Sequence, residues 1–87
     1  MTIYIDTFNK INDHKRHCHL WGTDVQELHN FAVACELKRE WFQDHRIPHY
    51  DIFSYRIRSM AIKHGAIPVT TRRLMQHIKE ARDADEM

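Results

Sequence analysis

The chemistry available to this 87-residue chain is concentrated in histidine, of which it contains eight. His17 and His19 are separated by one residue, so on a β-strand both imidazoles point to the same side and can face one metal ion. A second pair is His49 and Asp51, in which the carboxylate can bind a cation, orient His49 or cap a helix. Structural roles are open for both pairs: a solvated strand face for the first and a helix cap for the second.

Four polar residues could form one site, because each lies near the end of a predicted element: His19, His29, His49 and Asp51. Three imidazoles and a carboxylate are sufficient ligands for zinc or manganese, the two ions we expect if the protein uses a metal cofactor. Alternatively, two imidazoles act as base and acid in phosphodiester cleavage without a metal, while a cationic side chain stabilises the developing charge. The predicted catalytic residues are His19, His29 and His49, and the predicted metal ligands are the same three with Asp51. The residues predicted to bind the substrate are Tyr50, Arg56, Arg58 and Lys63.

Short strands and loops are predicted to hold several of these residues. Alternation of apolar and polar residues favours strands, and Pro48 disfavours helical geometry at Ile47 before it. Residues 37–43 fit either a short strand or a helical turn. The predicted strands cover residues 2–6, 17–21 and 66–69, and the predicted loops cover 7–16 and 44–50.

Three helices are predicted from apolar residues at helical spacing. A capping box that begins at Thr23 starts the first helix. Asp51 caps the second, over residues 52–64, Gly65 ends it, and Thr70 caps the third. The residues predicted to be buried on the helices are Val25, Leu28, Ala32, Cys35, Phe53, Ile57, Met60, Ala61, Leu74, Met75, Ile78 and Ala81.

The remaining aromatic and histidine residues favour ordinary structural roles, although aromatic side chains near basic ones can also stack nucleic-acid bases. We expect the core to contain Trp21, Trp41 and Phe42, and the surface to contain His14, His45 and His77.

These elements indicate an α/β (α+β) fold in which a small sheet of two to four short strands packs with three helices. The length suits one domain, predicted over residues 1–82, with 83–87 as a frayed C-terminal tail.

Composition excludes several classes of protein. The formal net charge of +1 gives no field strong enough to indicate a nucleic-acid or membrane partner, although eight histidines make the charge depend on pH. The longest apolar run, residues 31–35, is far shorter than the roughly 20 residues that span a bilayer, and we expect no membrane partner. No secretion signal is evident, and Cys18 and Cys35 form neither a Cys-x-x-Cys pair nor a disulfide framework, so a reduced, cytoplasmic protein is expected.

Five short elements occur in a characteristic order: Cys-His-Leu-Trp at 18–21, Glu-Leu-His at 27–29, Leu-Lys-Arg-Glu-Trp-Phe-Gln at 37–43, Pro-His-Tyr-Asp at 48–51 and Gly-Ala at 65–66. Together they resemble a family of short bacterial and phage proteins catalogued as a domain of unknown function, over roughly residues 2 to 70. The resemblance implies a small α/β fold and a phage or prophage setting, and it supplies no established activity. It favours a common site for His19, His29, His49 and Asp51.

The function expected from the sequence is a phosphate-handling activity on nucleic acid or a nucleotide at this His/Asp site, with or without a metal. The alternative is a non-enzymatic phage accessory protein that binds and modulates a host protein or nucleic acid. A third interpretation is a structural polar cluster that fixes the loop over residues 44–50 onto the sheet.

Overall fold

A computed structural model describes residues 2–8, 17–44 and 46–85 of the chain. Most of the predicted loop over 7–16 lies outside these residues. So do the surface positions predicted for His14 and His45, and the end of the predicted tail at 86–87.

A five-stranded mixed sheet forms the centre of the fold. Its strands are β1 (Ile3–Ile5), β2 (Cys18–Gly22), β3 (Phe42–Gln43), β4 (His49–Ile52) and β5 (Ile67–Pro68). Their spatial order is β3-β4-β2-β1-β5, and all pairs are antiparallel except β1 with β5. The α+β class is confirmed, but the expected two to four strands were too few. The sequence around Pro48 predicts a loop, whereas in the structure this segment pairs as a strand.

Three helices cover the two faces of this sheet. They are α1 (Val25–Ala34), α2 (Tyr55–Lys63) and α3 (Thr71–Asp85), with a short 3₁₀ turn at Arg39–Trp41. Over residues 2–8, 17–44 and 46–85, the predicted three helices are confirmed. In the part of the chain that the structure describes, no helix has the length and apolarity needed to cross a membrane.

The core divides into two clusters because side chains alternate between the faces of each strand. Cys18, Leu20 and Tyr50 lie in the larger cluster, between the sheet and helices α1 and α2. Trp21 lies on the opposite face with Leu74 of α3. Cys18 and Cys35 are both free and buried. The α3 face therefore carries the less extensive apolar core, which leaves room there for polar side chains.

Two predicted helix caps are wrong. Asp24 rather than Thr23 caps α1, where one carboxylate oxygen accepts the backbone N–H groups of Gln26 and Glu27 at 2.9 and 3.2 Å. Ser54 rather than Asp51 caps α2, because Asp51 is paired within the sheet and the helix starts four residues later.

Other helix-end predictions are confirmed, whereas five residues predicted to be buried are not: Met60 and Ala81 are half-buried, and three others are exposed. Thr70 Oγ1 accepts the N–H of Arg73 at 3.1 Å, and Gly65 adopts φ +115° after α2. Val25, Phe53 and Met75 are 40%, 52% and 50% exposed, because they lie at a helix start or one position round from the buried stripe.

Candidate metal centre

Four polar side chains gather on the face of the sheet that α3 covers. The register of β2 and β4 places His19 directly opposite Asp51. Because alternate residues on a strand share a face, His17 joins His19, and His49 joins Asp51. We refer to His17, His19, His49 and Asp51 as the His/Asp cluster.

Short distances connect the members of the His/Asp cluster. His49 Nε2 lies 3.2 Å from Asp51 Oδ1, and His19 Nε2 lies 4.0 Å from the same oxygen. The ring centroids of His17 and His19 are 4.9 Å apart, and those of His19 and His49 are 5.2 Å apart. Three ligand atoms lie within 4.8 Å of one another, one each from His17, His19 and Asp51, so these three residues could hold a metal ion.

Asp6 fixes the orientation of His19 by bonding to Nδ1, the ring nitrogen opposite to the one that faces Asp51. This carboxylate is fully buried at the end of β1. Its Oδ1 accepts the backbone N–H of His19 at 2.6 Å, and its Oδ2 accepts the Nδ1–H of His19 at 2.9 Å and the hydroxyl of Thr71 at 3.0 Å. Since the carboxylate is the acceptor, the ring proton of His19 is assigned to Nδ1, and the lone pair on Nε2 is directed into the cluster. A carboxylate behind a histidine in this way is the usual outer partner of a metal ligand.

His49 is oriented in the same sense by a backbone group. Its Nδ1 lies 2.6 Å from the carbonyl oxygen of Ile47, which can only accept, so Nδ1 donates and Nε2 carries the lone pair in the neutral ring. Both His19 and His49 are thus held with Nε2 available as a ligand on the side of Asp51.

Asp51 Oδ1 is the unusual atom of the cluster. It is buried, and no group in residues 2–8, 17–44 or 46–85 makes a hydrogen bond of good geometry to it, although His49 Nε2 is only 3.2 Å away. Buried polar atoms almost always have a partner, because leaving one unpaired costs free energy. Two ligands that each lie about 2.05 Å from a tetrahedral zinc ion are separated by about 3.3 Å, close to the observed spacing. The geometry therefore suits a cation placed between the two side chains.

The electrostatics of the pair agree with a cation at this place. Burial lowers the pKa of His49, but the contact with Asp51, the bond to the carbonyl of Ile47 and the negative charges of Asp51 and Asp6 together raise it above its ordinary value. Burial raises the pKa of Asp51, but the contact with His49 and the charges of His49, His17 and His19 outweigh it and lower the pKa. Both directions are those of an ion pair between a protonated His49 and an ionised Asp51.

A small cavity opens beside the cluster. Its volume is about 180 Å³, below the roughly 300 Å³ at which typical ligand pockets begin, so it accommodates a group about the size of a ring. Its polar end is formed by Asp6, His19, His49 and Thr71, and its apolar wall by Trp21, Ile47, Leu74, Met75 and Ile78.

His29 does not join the cluster, so the predicted convergence of three histidines is wrong. On α1 it lies against the opposite face of the sheet, where Nδ1 is 2.7 Å from the hydroxyl of Tyr50. Tyr50 points away from His49 and Asp51, because neighbouring residues of β4 face opposite sides. Arg39 Nη1 lies 2.8 Å from both ring nitrogens, and burial together with this positive charge lowers the pKa of His29.

Three of the four residues predicted to bind a substrate lie on α2, which covers the face of the sheet opposite to the His/Asp cluster, and the fourth is Tyr50. Arg58 donates from Nε to the backbone carbonyl of Asp6 at 3.0 Å. Tyr50 is buried on the opposite face with His29. Arg56 is exposed and lies 3.7 Å from Glu36, and Lys63 is exposed at the end of α2.

Asp6 and Thr71 are the residues of the site that the sequence analysis did not select. Asp6 lies two residues after Tyr4, so both side chains are on the same side of the extended chain. Ile3 and Ile5 are on the other side, and this alternation could have predicted the position of Asp6. Thr71 gives no local signal, because its contact with Asp6 joins residues 65 positions apart.

Comparison with known proteins identifies a family over nearly the whole chain. A family model described as "Protein of unknown function (DUF4031)" matches residues 3–81, which include every member of the His/Asp cluster, together with Asp6 and Thr71. The match confirms the domain of unknown function inferred from the motifs. Neither a curated protein nor a solved structure matches the chain.

Proposed function

This chain belongs to the DUF4031 family, and we propose that it binds a divalent transition-metal ion at the His/Asp cluster and uses it to hydrolyse a phosphate ester. The observation that carries the proposal is Asp51 Oδ1. Among the residues that the structure describes it is buried without a hydrogen bond, beside the imidazoles of His19 and His49, whose Nε2 atoms face it. A metal ion would satisfy all three atoms together.

Zinc or manganese suits this set of donors. Imidazole nitrogen and carboxylate oxygen are common zinc ligands, and a site with three protein ligands leaves a position for water or substrate. Manganese accepts the same ligands with a larger share of oxygen. The three protein ligands would come from His17, His19 and Asp51. His49, which contacts Asp51, would supply a fourth ligand or a nearby base.

Hydrolysis of a phosphate ester follows from what such an ion does to water. A zinc-bound water has a pKa of about 7 and is partly hydroxide at neutral pH, which makes it a nucleophile. An imidazole that is not bound to the ion, such as that of His49, could accept the proton of the attacking water or donate one to the leaving group.

A metal titration of protein purified without a histidine tag tests the proposal. We expect the wild-type protein to bind one equivalent of zinc or manganese. Asp51→Asn should weaken binding by more than the 10- to 100-fold that loss of an outer partner costs. His64→Gln is the control, because His64 is exposed and its ring bonds to the carbonyl of Met60, four residues earlier in the chain and away from the cluster.

Hydrolysis is measured on bis(p-nitrophenyl) phosphate, a small phosphodiester. Activity should require the metal, disappear in Asp51→Asn and persist in His64→Gln. Absence of metal binding by the wild-type protein, or unchanged binding by Asp51→Asn, would remove the metal centre. Metal binding without hydrolysis would retain the centre and favour the non-enzymatic accessory role, which stays a prediction together with the phage setting and the cytoplasmic location.

A further inference from the structure

A groove continues from the cavity beside the His/Asp cluster along the length of α3. Three cavities of about 180, 220 and 340 Å³ all have Ile47 and Ile78 in their walls, so they adjoin one another. We call this channel, between α3 and residues 46–48, the α3 groove.

The two ends of the α3 groove differ in chemistry from its middle. One end is the cluster itself, with Thr71 at the start of α3. The other end is lined by Arg46, Lys79 and Arg82 against one acidic residue, Asp83. Between them the wall is apolar and includes Met75, which is half-exposed. A ligand that fills the groove therefore has negative charge at the Arg82 end and an apolar, ring-sized part beside it, and the cluster end takes a second negative charge when the proposed metal ion is bound.

The length of the groove decides between short and long ligands. Thr71 and Arg82 are eleven positions apart on α3, which at 1.5 Å per residue is a distance of about 16 Å along the helix axis. A nucleic-acid strand stacked at about 3.4 Å per phosphate would place about five phosphates along it. A mononucleotide carries its phosphates at one end only and cannot occupy both charged ends.

We propose that the α3 groove binds a single-stranded oligonucleotide, with one phosphate at the His/Asp cluster and others at Arg46 and Arg82. This inference rests on the proposed phosphate-ester function and names its class of substrate. Positive side chains neutralise the backbone, and the apolar middle contacts bases, which a duplex keeps stacked inside. An acidic peptide would also satisfy the charged end, but Trp21, which lines two of the three cavities, gives the middle an aromatic wall that suits a base.

Binding of a fluorescein-labelled ten-nucleotide oligothymidylate, followed by fluorescence anisotropy in EDTA, tests the proposal on the full chain. Arg46→Gln/Arg82→Gln removes two charges from the groove. Arg72→Gln/Arg73→Gln is the control, because it removes two exposed charges from α3 outside the groove lining. We expect the first variant to bind at least ten-fold more weakly than the wild-type protein and the control to change by less than three-fold.

The salt dependence provides a second readout. The slope of log affinity against log salt should decrease in magnitude by about 1.4 in the groove variant, since each phosphate contact on a single strand contributes about 0.7. Thermal melts of both variants establish that they are folded at the assay temperature.

Three results would overturn the proposal: equal weakening by the two double variants, equally tight binding of the same oligonucleotide in a duplex, or equally tight binding of deca-glutamate. Because the binding assay contains EDTA, it measures the contacts with Arg46 and Arg82 and not the phosphate contact at the metal centre. Failure of the wild-type protein to bind zinc or manganese would contradict the proposed function and leave the binding result standing.

Discussion

Replacing Asp6 by asparagine should move the ring proton of His19. The carboxylate now accepts from His19 Nδ1–H at 2.9 Å and from the hydroxyl of Thr71 at 3.0 Å. An asparagine amide that occupies the same place donates where Oδ2 accepted, so His19 must accept at Nδ1 and carry its proton on Nε2. In that tautomer the nitrogen that faces Asp51 is no longer a metal ligand.

The expected magnitude follows from these contacts. Loss of an outer partner of a metal-bound histidine costs about 10- to 100-fold in metal affinity, or about 1.4–2.8 kcal/mol. The free energy of unfolding should also fall by about 2 kcal/mol, because hydrogen bonds to a charged group are worth about 1.5–3 kcal/mol. For a domain of this size that corresponds to a decrease in Tm of about 8–16 °C.

Long-range ¹H–¹⁵N NMR spectra report the tautomer of His19, and a zinc titration reports the affinity. Asp24→Asn is the matched control: it makes the same chemical change at an exposed helix cap, where asparagine caps as well as aspartate. Thr71→Val separates stability from orientation, because it removes the hydroxyl donor to Asp6 and leaves the bond to His19. We expect Thr71→Val to lower the Tm while zinc affinity stays within about two-fold of wild type.

The reasoning would be refuted by a folded Asp6→Asn protein in which His19 keeps its proton on Nδ1. It would be refuted equally by wild-type zinc affinity in that variant, since the orientation of His19 would then not depend on Asp6.

Two further predictions concern groups on the opposite face of the sheet. Burial, together with the charge of Asp6, raises the pKa of the Cys18 thiol from 9.0 to about 12, so its thiolate fraction at pH 8 should be about 1,000-fold below that of an ordinary cysteine. Iodoacetamide should therefore label Cys18 only after unfolding, and labelling of the native protein at the unfolded rate would contradict this. His29 has a folded pKa below its ordinary 6.5, so its contribution to stability is present above pH 6.5 and is lost as the pH falls through the folded pKa. Arg39→Gln should raise the pKa of His29 in an NMR titration and make unfolding less sensitive to pH in this window; an unchanged pKa would exclude the guanidinium as a cause.

Local alternation was sufficient to predict one half of the His/Asp cluster. His19 lies on β2 and His17 directly precedes that strand, and their rings lie on one side, as the sequence predicts. The same argument applies to His49 and Asp51, but Pro48 and the helix that follows made this segment look like a loop with a cap. The hydrogen bonds of β4 to β2 outweighed that local preference, and a serine three residues after Asp51 took over the cap.

Long-range relationships were beyond a local reading of the sequence. The pairing of His19 with Asp51 depends on strand register, and the contact of Asp6 with Thr71 depends on where α3 begins. His29 was misplaced for the same reason: helical spacing shows which side of α1 is buried, but not which face of the sheet the helix covers.

The two outer strands of the sheet have a consequence for self-association. β3 and β5 are only two residues long, and β5 contains Pro68, which has no N–H to offer. A strand from another molecule would find few free backbone groups at either edge, so neither edge serves as a template for β-strand addition or for edge-to-edge aggregation. For the five strands that the described residues form, a partner is therefore bound more readily through side chains than by pairing with an edge of the sheet.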